Sequence, residues 1–268
     1  MKEMFIFPKV GSSVSWPAPP ELLMLKNDEV HIWRASLEMT PCRVKTLEQL
    51  LSTDELGRAE RFHFQKDRDH FVAARGILRL ILGRYLLRRP KKLLFCYGPT
   101  GKPELAGEAA GRAIGFNVSH SHGLALFAIT SGRQVGVDLE YIREDFSVGD
   151  LINELFSPGE ILACKALPPD EQQRTFFLWW TRKEAWLKAR GSGLALDPRD
   201  IDLSRLRAIS GMLPEIYEDG RGLALYSVTD VDASDRFAAA LAVEGHCWQL
   251  KCWQWESSLL CSGTDMIY

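Results

Sequence analysis

From Phe71 to Leu86 apolar residues return at three- and four-residue steps: Phe71, Ala74, Leu78, Leu82, then Tyr85 and Leu86. That period lines them up as one stripe of a helix facing a core. The helix is predicted from about Asp69 to Arg89, stopping before Pro90, which cannot continue it. Its other side carries Arg75, Arg79, Arg84, Arg88 and Arg89, read mostly as a solvated face. Residues 46–64 are predicted largely helical, with Ser52-Thr53-Asp54 as a cap before Glu55, and Arg58, Arg61, His63 and Lys66 make this stretch basic. Alternation of apolar and polar positions predicts strands at Val30–Leu37, Ile114–Val118, Gly123–Ile129 and Gln134–Tyr141. The last two flank a turn at Ser131-Gly132-Arg133 and read as a hairpin. Helices are predicted over 148–167 and 170–190, separated by Pro168-Pro169; the second carries Phe176, Phe177, Trp180, Ala185 and Leu187 and ends at Gly191. Strands follow at Leu223–Thr229, Phe237–Val243 and Cys247–Trp255. Residues 11–20 and the loop CYGPTGKPELAG (96–107) are broken by Gly and Pro and read as irregular. Helices and strands thus alternate in each half, which predicts an α/β (α+β) protein of two similar units, 1–133 and 134–268.

Composition narrows the function classes. The 268 residues are 46% hydrophobic and 25% charged, enough apolar surface to offset the entropy of ordering a globular core. The formal net charge of −2 argues against a bulk polyanion partner, so nucleic acid is not expected. The apolar stretch Met4–Phe7 is short of the about 7–15 residues of a secretory h-region. Nothing approaches the roughly 18–20 apolar residues of a membrane span. The 6 cysteines form no CxxC pair and read as buried free thiols. A cytoplasmic protein with no membrane partner is expected.

Four stretches carry candidate chemistry. In Gly136-Val137-Asp138-Leu139-Glu140 a strand would put Asp138 and Glu140 on one face, side by side. Two like charges so close favour a cation between them, and hard carboxylate oxygens suit Mg²⁺. Alone, such a pair is more often a solvated strand face. In WWTRKEAWLK (179–188), Glu184 and Lys188 share a helix face; elsewhere this would be a surface ion pair, but here bulky aromatics crowd it. In FNVSHS (116–121), Ser119 and His120 close a strand and are suited to donate to a phosphate. His120 and His122 have metal-pair spacing, but no third soft ligand is evident. Lys102, between Gly101 and Pro103, suits a phosphate contact, although the Walker A spacing is missing. No G-x-S-x-G elbow is present.

In this order, GKP at 101–103, FNVSHS at 116–121, VGVDLE at 135–140 and WWTRKEAWLK at 179–188 resemble the 4′-phosphopantetheinyl transferase superfamily, in its two-lobed, monomeric Sfp type. ERFHFQKDRDHFVAARGILR at 60–79 is similar to the family's N-terminal helices. The likeness spans about 55–195, and no motif beyond about 200 matches. It implies two α/β subdomains related by pseudo-twofold symmetry, the first contacting coenzyme A phosphates and the second holding metal-binding carboxylates and the catalytic helix. It implies Mg²⁺ bound by Asp138, Glu140 and Glu184, and Lys188 on the pyrophosphate of coenzyme A. Ser119 and His120 would bind phosphates, and Lys102 with Pro103 would line the nucleotide pocket. Arg58 and Arg75 match basic positions, at least one of them expected on the 3′-phosphate. Thr181 stands where many relatives have Ser. Glu184 is the first candidate base, with Glu160 of Phe156-Ser157-Pro158-Gly159-Glu160 the second.

The implied reaction is attack by a serine hydroxyl of an apo acyl or peptidyl carrier protein on the β-phosphate of coenzyme A. Adenosine 3′,5′-bisphosphate leaves. Fatty-acid, polyketide and peptide synthase carriers all remain open. Arg75 to Arg89 and the aromatic segment 176–186 are expected carrier contacts. The rivals are a silent coenzyme A or carrier-binding module and a Mg²⁺-dependent coenzyme A pyrophosphohydrolase.

Overall fold

The computed structural model describes residues 15–111, 114–143, 148–191, 196–201, 215–218 and 223–256. Strand β1 (Glu29–Ser36) is followed by helices α1 (Pro41–Glu48), α2 (Thr53–Ala59) and α3 (Gln65–Leu86). A small hairpin, β2 (Leu94–Tyr97) and β3 (Pro103–Ala106), precedes β4 (Ile114–Ser121), β5 (Leu124–Ser131) and β6 (Val135–Tyr141). Helices α4 (Gly149–Leu155), α5 (Pro158–Lys165) and α6 (Pro169–Arg190) come next. Strands β7 (Glu215–Glu218), β8 (Leu223–Asp230), β9 (Phe237–Glu244) and β10 (Gln249–Gln254) complete the order. The α/β expectation holds, with small sheets packed against helices.

One four-stranded sheet has the order β10-β1-β5-β4 and the other β6-β9-β8-β7. Strand alternation divides each sheet's side chains between two layers. Trp33, Ala35, Phe127 and Ile129 turn toward Ile77, Leu78 and Ile81 of α3. Ala238, Ala240 and Ala242 turn toward Phe176, Phe177, Trp186 and Ala189 of α6. The opposite faces meet each other: Val30, Ile32, Leu126 and Ala128 pack against Val135, Val137, Leu139, Leu241 and Val243. The layers therefore run helix, sheet, sheet, helix, with three buried cores among the described residues.

Several local readings change, among them the loop 96–107, read as irregular, whose ends pair as β2 and β3. The turn at Gly132 does not close a β5–β6 hairpin; it carries the chain from one sheet into the other, where β6 pairs with β9. The tight hairpin is β4–β5, closed by His122 and Gly123 with φ of 45° and 77°. The predicted helix over 148–167 is two, because Ser157 and Glu160 form a capping box that starts α5. Similarly the stretch 46–64 is broken at Ser52, whose capping box with Glu55 starts α2. Strand β10 leaves the second half of the chain and pairs in parallel with β1. Of the cysteines, Cys42, Cys96 and Cys247 are exposed rather than buried, and only Cys164 is buried among those described.

Arg75 and Arg79 are not solvated. Both are buried and grip Glu55, Arg75 Nε donating to Oε1 at 2.6 Å and Arg79 Nε to Oε2 at 2.7 Å. Arg79 also donates to the carbonyls of Pro90 and Leu93. A carboxylate shared by two buried guanidiniums is strongly destabilising to remove. Glu55→Gln is expected to lower unfolding stability by about 3–5 kcal/mol, read as a drop in denaturation midpoint.

Candidate active site

The site forms where β4 and β6 run side by side without a backbone ladder. Side chains of alternate β4 residues take the ladder's place. Val137 N donates to Asn117 Oδ1 at 2.8 Å, and Tyr141 N donates to Ser121 Oγ at 3.2 Å. Ser119 Oγ donates to Asp138 Oδ1 at 2.9 Å. These are odd-numbered positions of the FNVSHS stretch, so they share one face of β4.

Helix α6 is laid over β6 at unusually short range. A Cβ on Gly136 would stand 2.0 Å from the Ala185 carbonyl oxygen and 2.4 Å from Ala189 N. Only glycine admits that approach, and the small Ala238, Ala240 and Ala242 of β9 extend the shallow bed. The helix thereby brings Lys188 onto Asp138, with Nζ 2.5 Å from Oδ1 and 3.2 Å from Ser119 Oγ. Glu184 lies one turn earlier on the same face. Lys102 secures the end of α6: its Nζ donates to the carbonyls of Val135 at 3.0 Å and Lys188 at 2.8 Å. A cation at a helix C-terminus is favourably placed. Burial lowers the pKa of Lys102 to about 8.

The electrostatics mark a crowded anionic cluster. Burial and then the neighbouring Asp138 push the pKa of Glu140 up, and Glu184 adds to the effect. Glu184 is likewise pushed up by burial, with Asp138 adding and Lys188 opposing. Beside them, His120 is pushed down by burial and by His70 and Lys188. Asp138 is 3% exposed, and its second oxygen, Oδ2, is buried with no hydrogen-bond partner. An orphaned acceptor of this kind is costly unless something else meets it. Among the described residues no three His, Cys, Asp or Glu side chains stand close enough together to hold a metal as they are. The donor chemistry fits Mg²⁺ in a narrower sense, because that ion takes only one or two carboxylates and completes its shell with water and substrate phosphate.

The remaining expected residues fall in other places. Pro103 opens β3 and, with Lys102, Gly115, Phe116, Arg133 and Val135, lines a pocket of about 280 Å³. Lys102 is thus at a pocket, but its ammonium is committed to backbone. Arg58 is exposed and lies over the Tyr97 ring at 4.4 Å. Arg75 donates to the Tyr97 hydroxyl at 2.5 Å as well as to Glu55, so its guanidinium is largely spent on structure. Glu160 is fully buried, accepting from Ser157 N at 2.8 Å and pairing with Lys183 at 2.7 Å. It is held as a helix cap, not presented to a cleft. His122 stacks on Tyr141 at 4.3 Å instead of pairing with His120 for a metal. Thr181 is buried and donates to the Leu178 carbonyl. The sequence reading gave no role to Asn117, Ser121 or Gly136. The i,i+2 spacing of Asn117, Ser119 and Ser121 was the available signal for the first two.

Comparison with known proteins bears on the same segments. A family profile described as the 4′-phosphopantetheinyl transferase superfamily matches residues 134–242. One described as the N-terminal part of 4′-phosphopantetheinyl transferase matches residues 33–131. The 4′-phosphopantetheinyl transferase HetI of Nostoc sp. is 40% identical over 240 residues, covering 89% of this chain and 97% of that protein. The chain belongs to the 4′-phosphopantetheinyl transferase superfamily. A putative 4′-phosphopantetheinyl transferase of Synechocystis sp. is 36% identical over 146 residues, 54% of this chain and 59% of its own length. The 4′-phosphopantetheinyl transferase of Bacillus subtilis is 26% identical over 197 residues, 74% of this chain and 84% of its own. The transferase segments β4, β6 and α6 that build the site all lie inside the two matched ranges. Among the described residues no helix is long and apolar enough to cross a membrane.

Proposed function

We propose that this enzyme transfers the 4′-phosphopantetheine moiety of coenzyme A to a serine of an apo acyl or peptidyl carrier protein, with Mg²⁺, releasing adenosine 3′,5′-bisphosphate. The observation that carries the reading is Asp138. It is buried, gripped on one oxygen by Lys188 and Ser119, and bare on the other, with Glu140 and Glu184 beside it. Of the three expected ligands, Asp138 and Glu140 would hold Mg²⁺ directly and Glu184 through water, and the ion when bound supplies charge neutralisation at the pyrophosphate. Lys188, Ser119 and His120 would contact the phosphates, where phosphoryl-transfer catalysis is chiefly positioning and charge stabilisation. Lys102 and Pro103 would wall the nucleotide side. Arg58, with its exposed guanidinium, is favoured over Arg75 for the 3′-phosphate. We assign the enzyme to the cytoplasm as a monomer.

Glu184 is the better candidate base. Burial pushes its pKa upward, which strengthens it as a proton acceptor, while Glu160 is locked under a lysine. Glu184→Gln is expected to slow transfer by about 10²–10⁴-fold. Glu160→Gln should instead lower stability, with the rate per folded molecule unchanged. Near-normal transfer by Glu184→Gln, with Mg²⁺ still bound, would remove Glu184 from the role. The surface that meets the carrier is smaller than the sequence implies, since Arg75, Arg79, Phe176, Phe177, Trp179 and Trp186 are buried. Arg89 remains exposed, whereas Arg84 is half-buried and donates to the carbonyls of Pro20 and Glu21.

The test follows adenosine 3′,5′-bisphosphate by chromatography. Release only when an apo carrier is present supports transfer. Release from coenzyme A and Mg²⁺ alone would instead make the enzyme a pyrophosphohydrolase, and no release with any carrier would favour a binding module.

A further inference from the structure

Two carboxylates on β6 face two hydroxyls on β4 at the same i,i+2 spacing. Ser119 meets Asp138, and no step of the transfer occupies Ser121. Its Oγ stands 3.3 Å from Glu140 Oε2 and 3.2 Å from Tyr141 N. A hydroxyl has one proton to donate. The Tyr141 N–H enters an Oγ lone pair, which directs that proton to Glu140. The β4–β6 seam has no backbone ladder, so side chains alone set the orientation of the Glu140 carboxylate. Ser121 is itself fixed. The next residue, His122, has a φ of 45°, and its ring stacks on Tyr141 with an interplanar angle of 20°. Tyr141 in turn packs edge-on against Phe237. The turn is thus clamped to the same residue whose N–H holds the hydroxyl.

We propose that Ser121 is a positioning residue for metal binding: it holds Glu140 by Oε2 and leaves Oε1 for the ion. The proposal rests on the Mg²⁺-dependent reading of the site. Partners that orient a ligating side chain commonly contribute about 10–100-fold to metal affinity.

Mn²⁺ alone, titrated into the full chain and followed by electron paramagnetic resonance, gives a readout separate from activity. Ser121→Thr keeps the hydroxyl, and Ser121→Val has the same shape without it. The proposal expects Ser121→Val to bind Mn²⁺ about 10-fold or more weakly than Ser121→Thr, which stays near wild type. The Mg²⁺ concentration for half-maximal transfer should rise by a similar factor, more than the saturated rate falls. Ser121→Ala should follow Ser121→Val, with a melting temperature within about 2–4 °C of wild type, the shift of a single lost hydrogen bond. Equal Mn²⁺ affinity in the threonine and valine variants overturns the role of Ser121 while leaving the metal site standing. No Mn²⁺ binding by wild type, either alone or with coenzyme A present, overturns the metal reading, and the role of Ser121 with it.

Discussion

Gly136→Ala is expected to abolish transfer and to destabilise the protein by about 3 kcal/mol, the upper end of ordinary overpacking. The added methyl would meet the Ala185 oxygen at 2.0 Å, Ala189 N at 2.4 Å and Ala189 Cα at 3.0 Å. All three are backbone atoms of α6, so no side chain can swing aside. Either β6 or the whole helix must lift. Lifting α6 carries Glu184 and Lys188 away from Asp138, so binding chemistry is lost even in molecules that remain folded. Gly132→Ala is the fitting control. Its φ of 68° strains an alanine, but nothing lies within 4 Å of the new methyl. That variant should cost about 1–2 kcal/mol and keep the transfer rate. Denaturation midpoints and initial rates of the two proteins give the comparison.

Asp138→Ala should separate chemistry from stability in the opposite direction. Asp138 anchors Lys188 and Ser119 and offers the buried Oδ2. Its loss removes the centre of the proposed metal and phosphate site, a loss of about 10³-fold in rate if the site contributes about 4 kcal/mol to the barrier. The fold should suffer less. Lys188 is partly exposed, so its freed ammonium can turn to water, unlike the buried Arg79 that Glu55→Gln would strand. A destabilisation of about 1.5–2 kcal/mol is expected, the low end for a lost hydrogen bond to a charged group. Asp138→Asn keeps the shape and should lose the rate almost as fully. A fall in stability as large as that of Gly136→Ala, with the rate per folded molecule preserved, would show Asp138 to be structural.

Local geometry was readable from sequence, and long-range pairing was not. The alternation of β6 put Asp138 and Glu140 together on the face that α6 covers, as strand geometry requires. Ser52 and Glu55 announced a helix start. The same Glu55 then takes Arg75 and Arg79 from α3, 20 and 24 positions away. Helical period correctly set those arginines off the apolar stripe, but a buried carboxylate waiting there leaves no mark in the period. Gly132 announced a turn, yet a turn residue does not tell whether its strands pair or part. Trp255 closed a run that reads as a strand; that its segment joins β1, with Gln249 opposite Glu29, follows from the packing of two sheets. Lys102 shows the limit from the other side. A lysine between glycine and proline suits a phosphate, and the fold gives its ammonium to two carbonyls at the end of α6.

Intact-protein mass spectrometry tests the central claim most directly. The enzyme, coenzyme A and Mg²⁺ would be incubated with a panel of apo acyl and peptidyl carrier proteins, beside a chelated sample and the Asp138→Ala variant. The account predicts one phosphopantetheine arm added to a carrier serine, absent after chelation and nearly absent with Asp138→Ala. An arm added equally well in chelator, or equally fast by Asp138→Ala, would contradict it.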